Sequence, residues 1–296
     1  MTEPDDGLTA IMSERRQLIN LAYRLLGSLA EAEDVVQETY ARWCAMPREE
    51  QDTIASPGAW LTRVAGRLCL NVLSSARARR ETYVGEWIPE PVPDSSEWRP
   101  ADPAERVTLD ESVSMAFLVV LDSMTPAERV AFILHDVFRY SFAEIAEIVG
   151  RTPAACRQLA SSGRRRVREA QAPPTPVSRQ ARIVRDFKRA WEAHDLDALL
   201  GLLAPDATAI SDGGGLVNTV LHPVEGAERI LSALVRLAHR FRGYTLLERT
   251  VNGQPGLVAQ EDGVTVSVYA FGIADEKIQR IWAVRNPEKL RAWTAS

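Results

Sequence analysis

Three cysteines, Cys44, Cys69 and Cys156, are all that the 296-residue chain contains. Three scattered thiols build neither a disulfide framework nor a zinc site. Each falls inside an apolar helical pattern and is expected as a small core residue. Long apolar runs are also missing, so no bilayer-spanning helix is expected. The amino terminus, MTEPDDGLTA, is acidic and lacks the basic and apolar blocks of a secretory signal, which points to a cytoplasmic protein without a membrane partner. The three glycines of SDGGG lack the lysine and the following helix that cradle phosphates, and no metal-ligand cluster stands out. No cofactor, metal or catalytic residue is therefore assigned.

What is present is charge sorted by position. The net charge is −5, with 40 acidic residues against 35 Lys and Arg. Yet residues 59–80 carry Arg63, Arg67, Arg77, Arg79 and Arg80 and no acid. Residues 139–169 carry Arg139, Arg151, Arg157, Arg164, Arg165, Arg166 and Arg168 against Glu144, Glu147 and Glu169. The acid sits in the amino terminus, the middle and the carboxy-terminal half. Segregation of this kind marks local nucleic-acid surfaces better than overall charge does.

The second basic block has a recognisable form. Phe142, Ile145, Ala146 and Val149 recur at helical spacing, and Gly150 can close that helix in a left-handed turn. Thr152 is an N-cap and Pro153 suits the first turn of a second helix, with Cys156 and Leu159 inward. Two short helices on a tight glycine turn form a helix-turn-helix. Arg157 and Gln158 on the second helix suit guanine and adenine edges in a major groove. Arg164, Arg165, Arg166 and Arg168 suit phosphates. An ordinary helical pair with a solvated basic face has the same pattern.

Upstream, residues 11–26 form a helix closed by Gly27, and Ser28 caps a second helix with Asp34, Gln37, Glu38 and Arg42 on its polar side. LAYRLLGSLAEAEDVVQETYARWC and AWLTRVAGRLCLNVL resemble region 2 of bacterial extracytoplasmic-function sigma factors. The resemblance implies that Asp34, Gln37, Glu38 and Arg42 meet the clamp helices of the RNA polymerase β′ subunit. It also implies that the helix over residues 59–73 reads the melted minus-ten element, with an extruded base held by the loop 49–58. Trp60, Arg63, Arg67 and Asn71 lie on one side of that helix, as a single-strand platform requires. Trp60 fits a core position equally well. Arg67 stands where many relatives carry a smaller polar residue.

Residues 110–123 read as a helix with Val113, Phe117, Val120 and Leu121 inward, and Thr125 with Glu128 forms a capping box for the next. With the helix-turn-helix these resemble sigma region 4, the reader of the minus-thirty-five element, for which the resemblance implies contact with the polymerase β flap. Between the two blocks, residues 81–105 are acidic and proline-rich and read as a linker, interrupted by Trp87 and Ile88.

After a second linker, residues 178–296 show helices followed by strand patterns with turns at Asn252-Gly253, residues 261–263 and Asp275-Glu276. The third helix is expected over residues 224–241. An α+β cone with antiparallel strands follows, and it resembles SnoaL-like domains. Three motifs resemble those of the sigma factors that carry such an extension, W-L-P-E-P, D-G-G-G-K and N-P-D-K-L. Here they are Trp87-Ile88-Pro89-Glu90-Pro91, Asp212-Gly213-Gly214-Gly215-Leu216 and Asn286-Pro287-Glu288-Lys289-Leu290. Leu216 departs from the family's lysine. These residues are expected to form interdomain contacts, with the extension packing on the region-2 domain and the linker.

The expected architecture is therefore multidomain. Two all-α sigma domains, 1–80 and 108–171, flank a linker over 81–107, and a linker over 172–177 leads to the SnoaL-like cone over 178–296. The expected activity is that of an RNA polymerase sigma factor modulated by its own extension, with core polymerase and promoter DNA as partners. The alternative is a DNA-binding regulator whose carboxy-terminal domain senses a small ligand or is an enzyme. Asp212, His222, Tyr269, Trp282 and Arg285 are the residues a cone pocket would bring together. A classical repressor acting on duplex DNA alone is a third reading, and the separate region-2 block argues against it.

Overall fold

The computed structural model describes residues 14–81, 83–94, 113–170, 175–240 and 243–294. The chain divides into two compact units. The first combines residues 1–79, 96–112 and 120–170; the second combines residues 80–95, 113–119 and 171–296. Residues 11–13, 95–112 and 171–174, parts of the first expected helix, of both expected linkers and of the helix expected over 110–123, lie outside the described residues.

The first unit is all helical. Helices α1 (Arg15–Leu26), α2 (Leu29–Ala45), α3 (Arg48–Gln51) and α4 (Pro57–Glu81) form its earlier block. Gly27 closes α1 at φ 71°, a conformation that favours a residue without Cβ, and the Ser28 hydroxyl accepts from Glu31 N to start α2. Helix α5 (Met115–Asp122) is divided, residues 115–119 belonging to the second unit and 120–122 to this one, and the later block continues through α6 (Pro126–Phe132), with a π-helical turn over Ile133–Val137. It ends with α7 (Phe142–Val149) and α8 (Pro153–Ala170). In α5 the buried residues are Met115, Leu118 and Leu121, not Val113, Phe117 and Val120 as the spacing suggested. The registers differ because Met115 turns toward a core that the local pattern does not reveal. Cys69 and Cys156 are fully buried, whereas Cys44 is exposed near the end of α2. Val35, Val36, Thr39 and Trp43 already fill the inward side of α2 and leave Cys44 outside it.

The second unit is α+β. Helices α9 (Val177–Glu192), α10 (Leu196–Leu202) and α11 (Ala227–Arg240) accompany a six-stranded sheet. Its strands are β1 (Leu203–Asp212), β2 (Val224–Glu225), β3 (Thr245–Val251), β4 (Gln254–Glu261), β5 (Val264–Ala274) and β6 (Lys277–Val284), in the order β2-β1-β6-β5-β4-β3. The sheet is mixed rather than wholly antiparallel, because β1 pairs β6 in parallel. The chain reaches that pairing through β2, α11 and the three hairpins β3–β4, β4–β5 and β5–β6, and α11 packs on β1 along the way. Val224, expected to start a helix, pairs with Ala209 in β2. A 3₁₀ turn (Pro287–Leu290) and α12 (Arg291–Thr294) close the chain.

Both faces of the sheet are covered. Phe187, Leu257, Tyr269, Phe271 and Ile281 belong to the core shared with the helices. Ile88, Met115, Val258, Val268, Trp282 and Leu290 form a second core on the other side. The alternation of Val268 with Tyr269 and Ala270 with Phe271 between the two cores is the period of a strand.

The capping box at α6 offers a direct check. Thr125 Oγ1 accepts from Glu128 N at 3.3 Å, and Glu128 Oε2 accepts from Thr125 N at 2.9 Å. Burial alone would raise the Glu128 pKa, but the Thr125 N–H, the Ser162 hydroxyl and the Thr125 hydroxyl outweigh it and hold the carboxyl below its ordinary value. Thr125→Ala is expected to lower unfolding free energy by about 0.5–2 kcal/mol, read from denaturant melts. Because the folded-state pKa is depressed, the Glu128 contribution is present above the unfolded pKa of about 4.3 and is lost as pH falls through the folded one. The wild-type to Thr125→Ala difference should therefore shrink in acid.

Candidate functional site

Two surfaces of the first unit carry the expected recognition residues. On α2, Asp34, Gln37, Glu38 and Arg42 are all exposed, with Arg42 Nε 2.8 Å from Glu38 Oε1. Burial of Val35, Val36, Thr39 and Trp43 on the opposite side forces this polar side outward. On α4, Trp60 is half-buried and meets Trp43 edge-on at 5.2 Å, so it fills part of both roles open to it. Asn71 is exposed. Arg63 and Arg67 are engaged: Arg63 Nη2 lies 3.0 Å from Glu147 Oε2, and Arg67 Nη2 donates to Glu147 O at 2.7 Å.

The helix-turn-helix is made by α7 and α8. Gly150 takes φ 68°, and Thr152 Oγ1 accepts from Ala155 N at 3.2 Å. Burial of Cys156, Ala160, Gly163 and Val167 turns Arg157 and Gln158 outward, and both are exposed. Arg157 also lies over the Phe142 ring at 5.2 Å. Arg165 and Arg168 are exposed, Arg166 is half-buried, and Arg164 forms a two-bond pair with Asp136 at 2.8 and 3.0 Å. The Arg164 charge is thus partly spent inside the block rather than presented to a phosphate.

The second unit gathers the three short motifs into one cluster. Asp212, at the end of β1, is wholly buried. Its carboxylate accepts from Tyr83 OH at 2.6 Å, Ile88 N at 3.0 Å, Gly214 N at 3.0 Å and Lys289 Nζ at 2.6 Å. Lys289 Nζ also donates to Ile88 O and lies 4.2 Å from the Trp87 ring centre. Asn286 Nδ2 donates to Tyr83 OH at 3.0 Å, and its Oδ1 accepts from Glu288 N. Burial and the bond to Asp212 both push the Tyr83 pKa up, which keeps its hydroxyl a donor. Ile88, Pro89, Glu90, Pro91 and Leu290 are buried, and Pro287 and Glu288 are exposed. Trp293 Nε1 donates to Pro91 O at 2.8 Å. A proline-rich stretch that no local element covers is thus covered by the sheet.

The glycines are dictated by this cluster. A Cβ on Gly213 would collide with Val217 O and Thr219, and one on Gly214 with the Asn286 amide. One on Gly215 would sit 3.0 Å from Val84 Cβ, and Gly214 and Gly215 take φ of 62° and 72°. Leu216, at the departing position, is 61% exposed.

A second anchor lies at the β3–β4 hairpin. Asn252, in the left-handed region at φ 51°, is fully buried. Its N donates to Val92 O at 2.9 Å, its Oδ1 accepts from Val92 N at 3.1 Å, and its Nδ2 donates to Val113 O at 3.0 Å. One side chain therefore holds both Val92 and Val113, just ahead of α5. The sequence marks Asn252-Gly253 only as a hairpin turn, and Tyr83 only as part of a linker; neither role leaves a local signal.

The residues named for the alternative reading of a cone pocket are placed in different parts of the unit. Tyr269 belongs to the helix-side core, Trp282 to the opposite core, Asp212 to the motif cluster, and His222 is exposed. The strand period that separates Tyr269 from its neighbours is the reason. Among the described residues no group of His, Cys, Asp and Glu could hold a metal, and no helix is long and apolar enough to cross a membrane.

Comparison with known proteins agrees with this layout. Residues 10–79 match the Sigma-70 region 2 family, and residues 114–167 match Sigma-70, region 4. The chain is 38% identical over 291 residues to the ECF RNA polymerase sigma factor SigJ of Mycobacterium tuberculosis, covering 93% of this chain and 90% of that one. It is 35% identical over 294 residues to the probable ECF RNA polymerase sigma factor SigI of Mycobacterium tuberculosis, covering 98% and 97%. The crystal structure of the Mycobacterium tuberculosis SigJ superposes with a TM-score of 0.76 at 34% identity, over 96% of this chain and 98% of that one.

The buried pair at the centre of the cluster can be tested by its asymmetry. Lys289→Met leaves the Asp212 charge buried without its cation and is expected to destabilise the full chain by about 3–5 kcal/mol in denaturant unfolding. Adding Asp212→Asn should recover a substantial part of that loss. Equal losses for the single and double variants would show that the charge pairing is immaterial.

Proposed function

The chain belongs to the extracytoplasmic-function sigma factors of RNA polymerase, and from that premise we propose that its carboxy-terminal unit governs initiation by holding the segment between the two sigma regions. The observation that carries this reading is the motif cluster. Residues 83–92, which join the region-2 match to the rest of the chain, are bound through Asp212, Lys289, Trp293 and Asn252. Residues 114–119 of the region-4 match also belong to this unit, with Met115 and Val119 in the sheet-side core. The unit thereby restrains both ends of the connection. Prolines 89, 91 and 93 stiffen the segment and lower the entropy lost on docking.

In this reading Asp34, Gln37, Glu38 and Arg42 engage the β′ clamp helices of core polymerase, while the later sigma block engages the β flap. Trp60, Arg63 and Asn71 face the melted minus-ten strand, and Thr152, Arg157 and Gln158 face the minus-thirty-five duplex, with Arg165 and Arg168 on phosphates. Exposure of Asp34, Gln37, Glu38, Arg42, Asn71, Thr152, Arg157, Gln158, Arg165 and Arg168 supports the assignment, whereas Trp60 and Arg63 are half-buried. The protein acts in the cytoplasm, where core polymerase and DNA are. The carboxy-terminal unit works as a clasp on the segment between the sigma regions.

Transcription in vitro with purified core polymerase tests the proposal. The wild-type chain should support initiation from a cognate promoter. Arg157→Ala should weaken use of the upstream element by about 1–3 kcal/mol, while a scrambled element should lose little. Asn252→Ala and Trp87→Ala should alter promoter output while core binding persists in a pull-down. Unchanged output from both would make the carboxy-terminal unit an independent passenger.

A further inference from the structure

Two arginines of α8 are held in different ways, and the difference separates a structural arginine from a base reader. Both supports begin in the π-helical turn over Ile133–Val137, where Phe138 N donates to Ile133 O at 3.2 Å. Turns of this kind are rare and recur at functional sites. Asp136, in this turn, takes two donors of Arg164 at 2.8 and 3.0 Å. A carboxylate fixes a guanidinium by consuming its N–H groups. The neighbouring His135 turns to α7 instead. Its Nδ1 lies 2.9 Å from Tyr140 O, and because a carbonyl only accepts, the ring carries a proton on that nitrogen. With its orientation so fixed, the imidazole stacks on the Phe142 ring, 4.0 Å between centroids and 27° between planes. The Arg157 guanidinium lies over the same Phe142 ring at 5.2 Å.

An aromatic face attracts a guanidinium through the ring quadrupole and consumes no donor. Arg157 is exposed, and among the described residues no hydrogen bond or ion pair takes up its side-chain donors. A long exposed side chain with nothing beneath it loses rotamer freedom when it orders on a partner, and that loss weakens binding. A guanine is read by an arginine whose two N–H groups reach O6 and N7 together. Such an arginine must be held in place with its donors still free. Arg157 meets both conditions, and Arg164 meets only the first.

We propose that the His135–Phe142 stack is the positioning element for base reading by the helix-turn-helix. It holds Arg157 by the face of the guanidinium and leaves the N–H fork for one guanine of the upstream element. His135 and Phe142 are positioning residues that act through Arg157. The inference rests on the sigma reading above, because it needs α8 to face the minus-thirty-five duplex.

The test uses holoenzyme assembled from the full-length chain and purified core polymerase. It selects bound promoters from a library of DNA duplexes randomised over the minus-thirty-five element, and base preference at each position is read by sequencing. Arg157→Ala should erase a guanine preference at one position. Phe142→Leu should lower the preference at that same position about two- to fivefold, the range of an exposed cation–π contact, and leave the other positions as they were. Phe142→Tyr keeps the ring and should keep the preference. His135→Ala should act at the same position and in the same direction. In the Arg157→Ala background Phe142→Leu should change nothing further there, because a residue that acts only through Arg157 has nothing left to act on.

A Phe142→Leu loss spread evenly over all positions, or one that persists without Arg157, overturns the proposal and makes Phe142 a packing residue of α7. A Phe142→Leu profile equal to that of the wild type overturns it as well. Failure of the wild-type holoenzyme to select any sequence rejects the sigma reading itself, and the inference with it.

Discussion

A single buried carboxylate organises the carboxy-terminal half. Asp212 is out of contact with water, and an ionised carboxylate in that position is tolerated only when charge and hydrogen bonds replace its hydration. Lys289 supplies the charge, and Tyr83, Ile88 N and Gly214 N supply the bonds. Two of these four donors come from the segment that joins the sigma regions. The carboxylate is therefore satisfied only when residues 83–88 are in place, and folding of the sheet and docking of the segment become one event. Ile88, at 1% exposure, adds about 1.5–3 kcal/mol of apolar burial to the same docking.

The glycines around Asp212 follow from that arrangement. They take left-handed conformations or lie against Asn286, Val217 and Val84, so the turn is shaped by what it receives and not by loop geometry alone. Asn252 repeats the logic at the far end of the segment. A left-handed hairpin position admits asparagine, and its backbone N–H and side-chain oxygen together pair with Val92 as a neighbouring strand would. Two hydrogen-bonding side chains at opposite ends thus hold an extended proline-rich stretch whose own residues cannot form a ladder throughout, because proline has no N–H.

In the helical unit the recurring device is arginine at helix carboxy termini. Guanidinium groups are always charged and offer donors in a fixed fork, which suits the orphan carbonyls of a last turn. The same property makes arginine a phosphate binder. Arg67 is held by the Glu147 carbonyl and Arg129 by the Leu25 carbonyl.

Much of this was legible from one strand of text. Helix limits at Gly27, Ser28, Thr125, Gly150 and Thr152 follow from backbone conformation and capping, which are local. Hairpins at Asn252-Gly253 and Asp275-Glu276 follow from residues that accept positive φ. Exposure of Asp34, Glu38, Arg157 and Gln158 follows from the apolar period on the other side of each helix. The sequence by itself thus determined most helix limits, the hairpin turns and the resemblance to the family. It could not determine what meets across long separations. The parallel pairing of β1 with β6, the burial of Ile88 by strands more than 150 residues away, the inward turn of Met115, the outward turn of Cys44 and the division of Tyr269 and Trp282 between opposite cores were decided by tertiary packing. Periodicity specifies which side of an element is apolar, but the identity of the partner depends on contacts whose energies appear only once the chain has closed on itself.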